Sequence, residues 1–94
     1  MVEPDTIFVR ADIALSSAED GKTSIMNIEQ GTYFDLEEPG TTIWQLLEKP
    51  ISFTQLCHGV AEQFDAPANV IEQDTASFLH ELEGCGLVTT QPVR

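Results

Sequence analysis

Ninety-four residues, 41% of them hydrophobic, suffice for one small domain over residues 1–94 and leave no second lobe to close over a substrate. Asp and Glu number 16 against four Lys and Arg (Arg10, Lys22, Lys49, Arg94), and the net charge of -12 argues against nucleic acid or an anionic membrane as partner. Glu3, Asp5 and Asp12 interrupt the start of the chain and no apolar run reaches the roughly 18 residues of a membrane span, so no signal peptide is expected and a cytoplasmic location is.

Thr6–Arg10 (TIFVR) is a β-branched and aromatic run that predicts a strand. After a polar loop ending in Asp20-Gly21, Thr23–Glu29 (TSIMNIE) and Thr32–Leu36 (TYFDL) read as two further strands joined by a tight Gln30-Gly31 turn. The strand half, residues 6–36, is thus expected to be a meander. With that turn, Ile28 faces Tyr33, Asn27 faces Phe34 and Ile25 faces Leu36. Ile28, Met26 and Tyr33 then share one face, and Ile25, Phe34 and Leu36 the other. A sheet packed on one side only is polar on the other. Either the hairpin is bulged or the second face also meets something.

The helical half spans residues 39–86. Ile43, Trp44, Leu46 and Leu47 give the first helix, Pro39–Glu48, its apolar face, and Pro50 stops it. Ser52 with Gln55 three residues on forms a capping box for the second, whose stripe is Phe53, Leu56, Cys57, Val60 and Phe64. Pro67 opens a third helix that ends at Gly84 or Gly86. Leu87–Thr90 allows a last short strand. Cys57 and Cys85 are too few and too far apart for a disulfide framework and read as buried core residues.

These elements predict an α+β fold, a winged helix-turn-helix with a three-stranded antiparallel sheet followed by three helices. That architecture invites a DNA-binding reading. The would-be recognition helix carries carboxylates and no cation, and between Pro50 and Val93 there is no Lys or Arg at all, so phosphates would meet no counter-charge. The spacings of Cys57-His58, His80 and Cys85 match no tetrahedral zinc pattern. Asp74 and Glu81 have no accompanying nucleophile or deep pocket for acid–base work. No catalytic residue, cofactor or metal is expected.

From Gly31 onward the chain resembles the PqqD-like family, the small domains also called precursor recognition elements of ribosomally synthesised, modified peptides. The resemblance rests on Gly31, Tyr33, Leu36, the helix start Gly40-Thr41-Thr42-Ile43-Trp44-Gln45-Leu46-Leu47, the block Asp74–Leu82 and Gly86-Leu87-Val88, about 60 residues in all. It implies a non-catalytic binding module. The leader of a precursor peptide would lie as an added antiparallel strand along Thr32, Tyr33, Phe34, Asp35 and Leu36, in the groove between that strand and the third helix, where main-chain bonds give affinity and pockets give sequence choice.

Helical geometry at 100° per residue puts Ile71, Thr75, Phe78, Leu79 and Leu82 on the core face. The adjacent stripe Val70, Asp74, Ser77 and Glu81, with Phe78 at its border, is assigned to the groove, its carboxylates suited to a leader Lys or Arg. The flank Glu72, Ala76 and Glu83 is the competing choice, and whether Tyr33 or Phe34 faces the groove stays open. The implied partners are the precursor leader peptide and a separate maturation enzyme, either a leader peptidase or a radical SAM enzyme. The linker Glu48-Lys49-Pro50-Ile51-Ser52 departs from the Asp-Gly turn usual in pyrroloquinoline quinone members, which favours a lasso-type or other peptide pathway. The alternative is an acidic winged-helix interaction or regulatory module that meets no precursor peptide.

Overall fold

A computed structural model describes residues 2–19 and 22–91. In chain order the elements are β1 (Ile7–Arg10), β2 (Ala14–Glu19), β3 (Lys22–Asn27), β4 (Thr32–Leu36), α1 (Gly40–Leu46), β5 (Ile51–Ser52), α2 (Phe53–Gln63), α3 (Ala68–Gly84) and β6 (Val88–Gln91). The architecture is α+β and consistent with a winged helix-turn-helix. Its strands form two antiparallel sheets, in the orders β5-β1-β6 and β2-β3-β4.

The meander exists, but its members differ from those expected. The first predicted strand leaves it: β1 pairs with β6 over four residues, from Ile7 opposite Gln91 to Arg10 opposite Val88, and with the short β5. Its place is taken by β2, which forms where a polar loop was expected and pairs with β3 from Ala14–Asn27 to Glu19–Lys22. Asp20 and Gly21, the expected end of that loop, lie outside the described residues, as does Arg94.

The β3–β4 hairpin closes with a longer turn than Gln30-Gly31. Asn27 lies opposite Thr32, Met26 opposite Tyr33 and Ile25 opposite Phe34, which leaves residues 28–31 as the loop. Asn27 makes that loop possible: its Oδ1 accepts from the Glu29 and Gln30 amides at 3.0 and 3.1 Å, its carbonyl accepts from Gly31 at 2.7 Å, and Gly31 takes the left-handed φ of 71° that favours glycine. The register is shifted by two residues, so the side-chain faces survive. Ile25 and Leu36 are buried and Phe34 packs beside them, while Tyr33 and Leu15 on the other face are 71% and 61% exposed. Met26 sits between those two, opposite both in the register.

The helices start and stop where the punctuation falls. Ser52 and Gln55 complete both bonds of the capping box on α2. Gly86, at φ 75°, ends α3 as the Leu87 amide reaches back to the Leu82 carbonyl at 2.9 Å. The faces of Ile43, Trp44, Leu47, Leu56, Val60, Ile71, Leu79 and Leu82 converge on Phe8, Ile25, Leu87 and Val88 in one core. Of the two cysteines expected to be buried, Cys57 is, whereas Cys85, at the C-cap of α3, is only partly buried and packs against the edge of the core. Arg10 ties β1 to α1: its guanidinium lies 4.1 Å from the centre of the Trp44 ring and donates to the Trp44 carbonyl. Burial lowers its pKa, an effect the nearby Glu48 partly offsets. Among the described residues no helix is long and apolar enough to cross a membrane.

Candidate functional site

β4 is the edge strand of its sheet, so one side of its main chain has no strand partner. Its far end runs into Glu37, Glu38 and Pro39, and there a groove opens against α3. One depression of about 260 Å³ is lined by Glu37, Pro39, Gly40, Asp74, Ser77, Phe78 and Glu81. A second, of about 210 Å³, continues along α3 between Glu38, Pro39, Val60, Phe64, Ala66, Val70, Ile71 and Asp74. Pro39 and Asp74 belong to both and mark where they meet.

The sequence of α3 dictates this. Ile71, Thr75, Leu79 and Leu82 recur on one face and are buried, which turns the stripe Val70, Asp74, Ser77 and Glu81 toward the loop after β4. Phe78, at the border, is half-buried and packs on Gly40. The groove has an apolar floor, from Val60, Phe64, Val70, Ile71 and Phe78, and an acidic rim. Among the described residues no Lys, Arg or His lines either depression. Within the rim, Glu38 is already engaged, because its carboxylate accepts from the Thr42 amide at 2.8 Å and from the Thr42 hydroxyl. Asp35, on β4, accepts from the Ser24 hydroxyl at 2.7 Å.

Val70, Asp74, Ser77, Phe78 and Glu81 are therefore brought together. Thr32–Leu36 line neither depression; they form the strand edge that leads into the groove. Phe34 points inward with Leu36 and Ile25, and Tyr33 points out on the open face of the sheet, so neither walls the two cavities. Sequence reasoning missed Glu37, Glu38, Pro39 and Gly40, although an acidic pair followed by Pro-Gly between a strand and a helix is a readable loop signal. It also missed Val60 and Phe64, whose helical stripe marked them only as core.

The competing flank of α3 meets a different surface. Glu72 and Ala76, but not Glu83, border a depression of about 510 Å³ with Val2, Pro4, Phe53, Thr54, Cys57, His58, Asn69 and Gln73. No β4 residue lines it. Burial, reinforced by the charge of Glu72 and partly offset by Thr75, pushes the Cys57 thiol up. Among the described residues no group of three or more His, Cys, Asp or Glu could hold a metal ion.

The edge strand β4 and the helix α3 run antiparallel to each other. Asn27 Nδ2 donates to the Cys85 carbonyl at 2.9 Å, which places the start of β4 beside the end of α3, while Glu37 shares a depression with Asp74 and Ser77 in its middle.

Comparison with known proteins finds three likenesses. A family model, that of coenzyme PQQ synthesis protein D (PqqD), matches residues 22–88. Among solved structures, TbiB1 in complex with the TbiA(beta) leader peptide is 24% identical, with a TM-score of 0.82 over 90% of this chain and 99% of that chain. Lasso peptide synthetase B1 complexed with the leader peptide is 17% identical, with a TM-score of 0.77 over 87% of this chain and 96% of that chain. No curated protein matches.

Proposed function

The chain belongs to the PqqD family, and on that premise we propose that it binds the leader segment of a ribosomally synthesised precursor peptide by strand addition to β4. The observation that carries this reading is the continuity of the free β4 edge with the groove along α3, rimmed by Glu37, Asp74 and Glu81. The two fold relatives, each solved with a leader peptide, support it. An added antiparallel strand would run parallel to α3, because α3 and β4 oppose each other. Its N-terminal end would lie near Asp74 and its C-terminal end would leave past the turn at residues 28–31. Lys or Arg of the leader would meet Asp74 first and Glu81 later along the peptide.

In this reading the domain has no catalytic part and presents the leader to a separate maturation enzyme. A leader peptidase of the lasso type is favoured over a radical SAM enzyme, since both fold relatives are leader-bound proteins and one is named a lasso peptide synthetase B1. The test is calorimetry with a synthetic leader of the precursor encoded in a neighbouring reading frame. Leader and full-length precursor are expected to bind alike, with nanomolar to micromolar affinity after the ordering entropy is deducted. Binding of the core segment alone, or of neither, would overturn the reading.

A further inference from the structure

Asn27 is 1% exposed and spends its side chain on joining two distant parts of the chain. Its Oδ1 accepts from the Glu29 and Gln30 amides at 3.0 and 3.1 Å and so shapes the turn that launches β4. Its Nδ2 donates at 2.9 Å to the carbonyl of Cys85, 58 residues away, at the C-terminal cap of α3. That carbonyl belongs to the helix end, where backbone acceptors have no partner within the helix. Gly86 follows with a φ of 75°, a left-handed backbone that disfavours any side chain and turns the chain out of the helix beside Asn27. Farther back along α3, the contact of Phe78 with Gly40 holds the middle of the helix to the chain leaving β4.

We propose that Asn27 is a positioning residue for leader binding: it fixes the separation of β4 and α3 at the end of the groove where the leader leaves. The inference rests on the leader-binding reading above. The turn that launches β4 and the end of α3 are both held by the one amide, so a change that spares the turn but releases Cys85 frees the strand from the helix. Asn27→Asp does this. The carboxylate can still accept from Glu29 and Gln30, but it has no donor for Cys85 and sets a charge against a carbonyl.

The experiment measures leader affinity by calorimetry, on folded protein, for the wild type, Asn27→Asp and Ile43→Val. Ile43 is fully buried in α1 and lines neither depression, so its variant loses stability without touching the groove. Asn27→Asp is expected to weaken leader binding more than tenfold, while Ile43→Val stays within about twofold. Equal affinity of Asn27→Asp and wild type would overturn the proposal, and so would an equal loss in Ile43→Val. If Asn27→Asp does not fold, amide exchange on the wild type decides. Coupling is reciprocal, so a bond that helps the leader bind is strengthened by it, and the side-chain amide protons of Asn27, which bond to the Cys85 carbonyl, should exchange more slowly in the complex. Unchanged exchange would overturn the positioning role. A wild type that binds no leader would overturn the leader-binding reading, and this inference with it.

Discussion

The ring of Phe78 rests on Gly40 with no space for a side chain between them: a Cβ on Gly40 would stand 3.1 Å from Phe78 Cε1 and 3.2 Å from Cζ. The contact seats the middle of α3 on the start of α1, and both residues line the groove. In Gly40→Ala the half-buried ring must move outward by a few tenths of an ångström, into the depression it lines. Overpacking of this kind should cost about 1–3 kcal/mol of stability, and leader affinity should fall with it. Gly84→Ala is the control, since nothing lies within 4 Å of the new methyl. It should leave affinity unchanged and raise stability by about 0.5–1 kcal/mol, as alanine does in place of glycine in a helix. Thermal melts and calorimetry on the two variants check both expectations.

Asp74 is the carboxylate shared by both depressions, whereas Glu62 lies on the exposed side of α2 and lines neither. A charge-assisted bond to a leader Lys or Arg should make Asp74→Asn cost roughly 1–3 kcal/mol of binding free energy. Glu62→Gln should cost no more than a few tenths. If the leader carries Lys or Arg, association should also slow as salt rises, because the -12 chain would attract it over a Debye length of about 8 Å near 0.15 M. Equal small effects of both substitutions would place Asp74 among solvated surface charges and direct attention to Glu72 and Glu83.

Tyr33 and Phe34 separate fold from binding. Phe34 packs against the core, so Phe34→Ala should lose about 1–3 kcal/mol of stability, less than a fully buried phenylalanine. Tyr33 is 71% exposed, and Tyr33→Ala should change stability by less than about 0.5 kcal/mol. Proline at the two positions asks about the main chain instead. Successive amides of a strand point to opposite sides, so one proline breaks the β3–β4 ladder and the other blocks only the free edge. One of the two variants should therefore stay folded yet bind leader poorly. Full affinity in whichever variant stays folded would show that the edge is not where the peptide docks.

The Cys57 thiol titrates above its ordinary value through burial and the charge of Glu72. A raised pKa means that the folded chain holds this proton longer than the unfolded chain does. The thiol therefore costs nothing below the usual cysteine pKa of about 8.5 and destabilises the fold as pH rises beyond it. Urea unfolding should show stability falling above that pH, with a shallower fall in Cys57→Ala. At pH 8, alkylation should reach the half-exposed Cys85 well before the buried Cys57.

The helical half was legible because its signals are local. Pro50, the Ser52–Gln55 box and Pro67 each act within a turn of where they stand, and the structure keeps all three helices close to the expected bounds. The strand half was legible only in part. Ala14–Glu19 (ALSSAE) has small, polar residues of low strand propensity, and it becomes a strand because β3 supplies a six-residue partner. β1 was recognised as a strand but not as a member of the other sheet, since its partner β6 lies at the far end of the chain and leaves no mark on its own sequence. The hairpin register failed by two residues for one side chain: nothing in Asn27 read alone announces that it will serve both the turn and Cys85. On α3 the periodicity placed the groove stripe, while the loop opposite, Glu37–Gly40, came into view only with the fold.

The open face of the β2-β3-β4 sheet carries Leu15, Met26 and Tyr33 side by side across three strands, with Ile28, 52% exposed, just beyond. An apolar row of this kind is an adhesive, and two molecules that brought their rows together would bury it at once. Each also carries a charge of -12, so like molecules meet a repulsive barrier before those side chains touch. The excess of acid should thus act as a colloidal stabiliser, opposing the face-to-face pairing that the apolar row alone would favour.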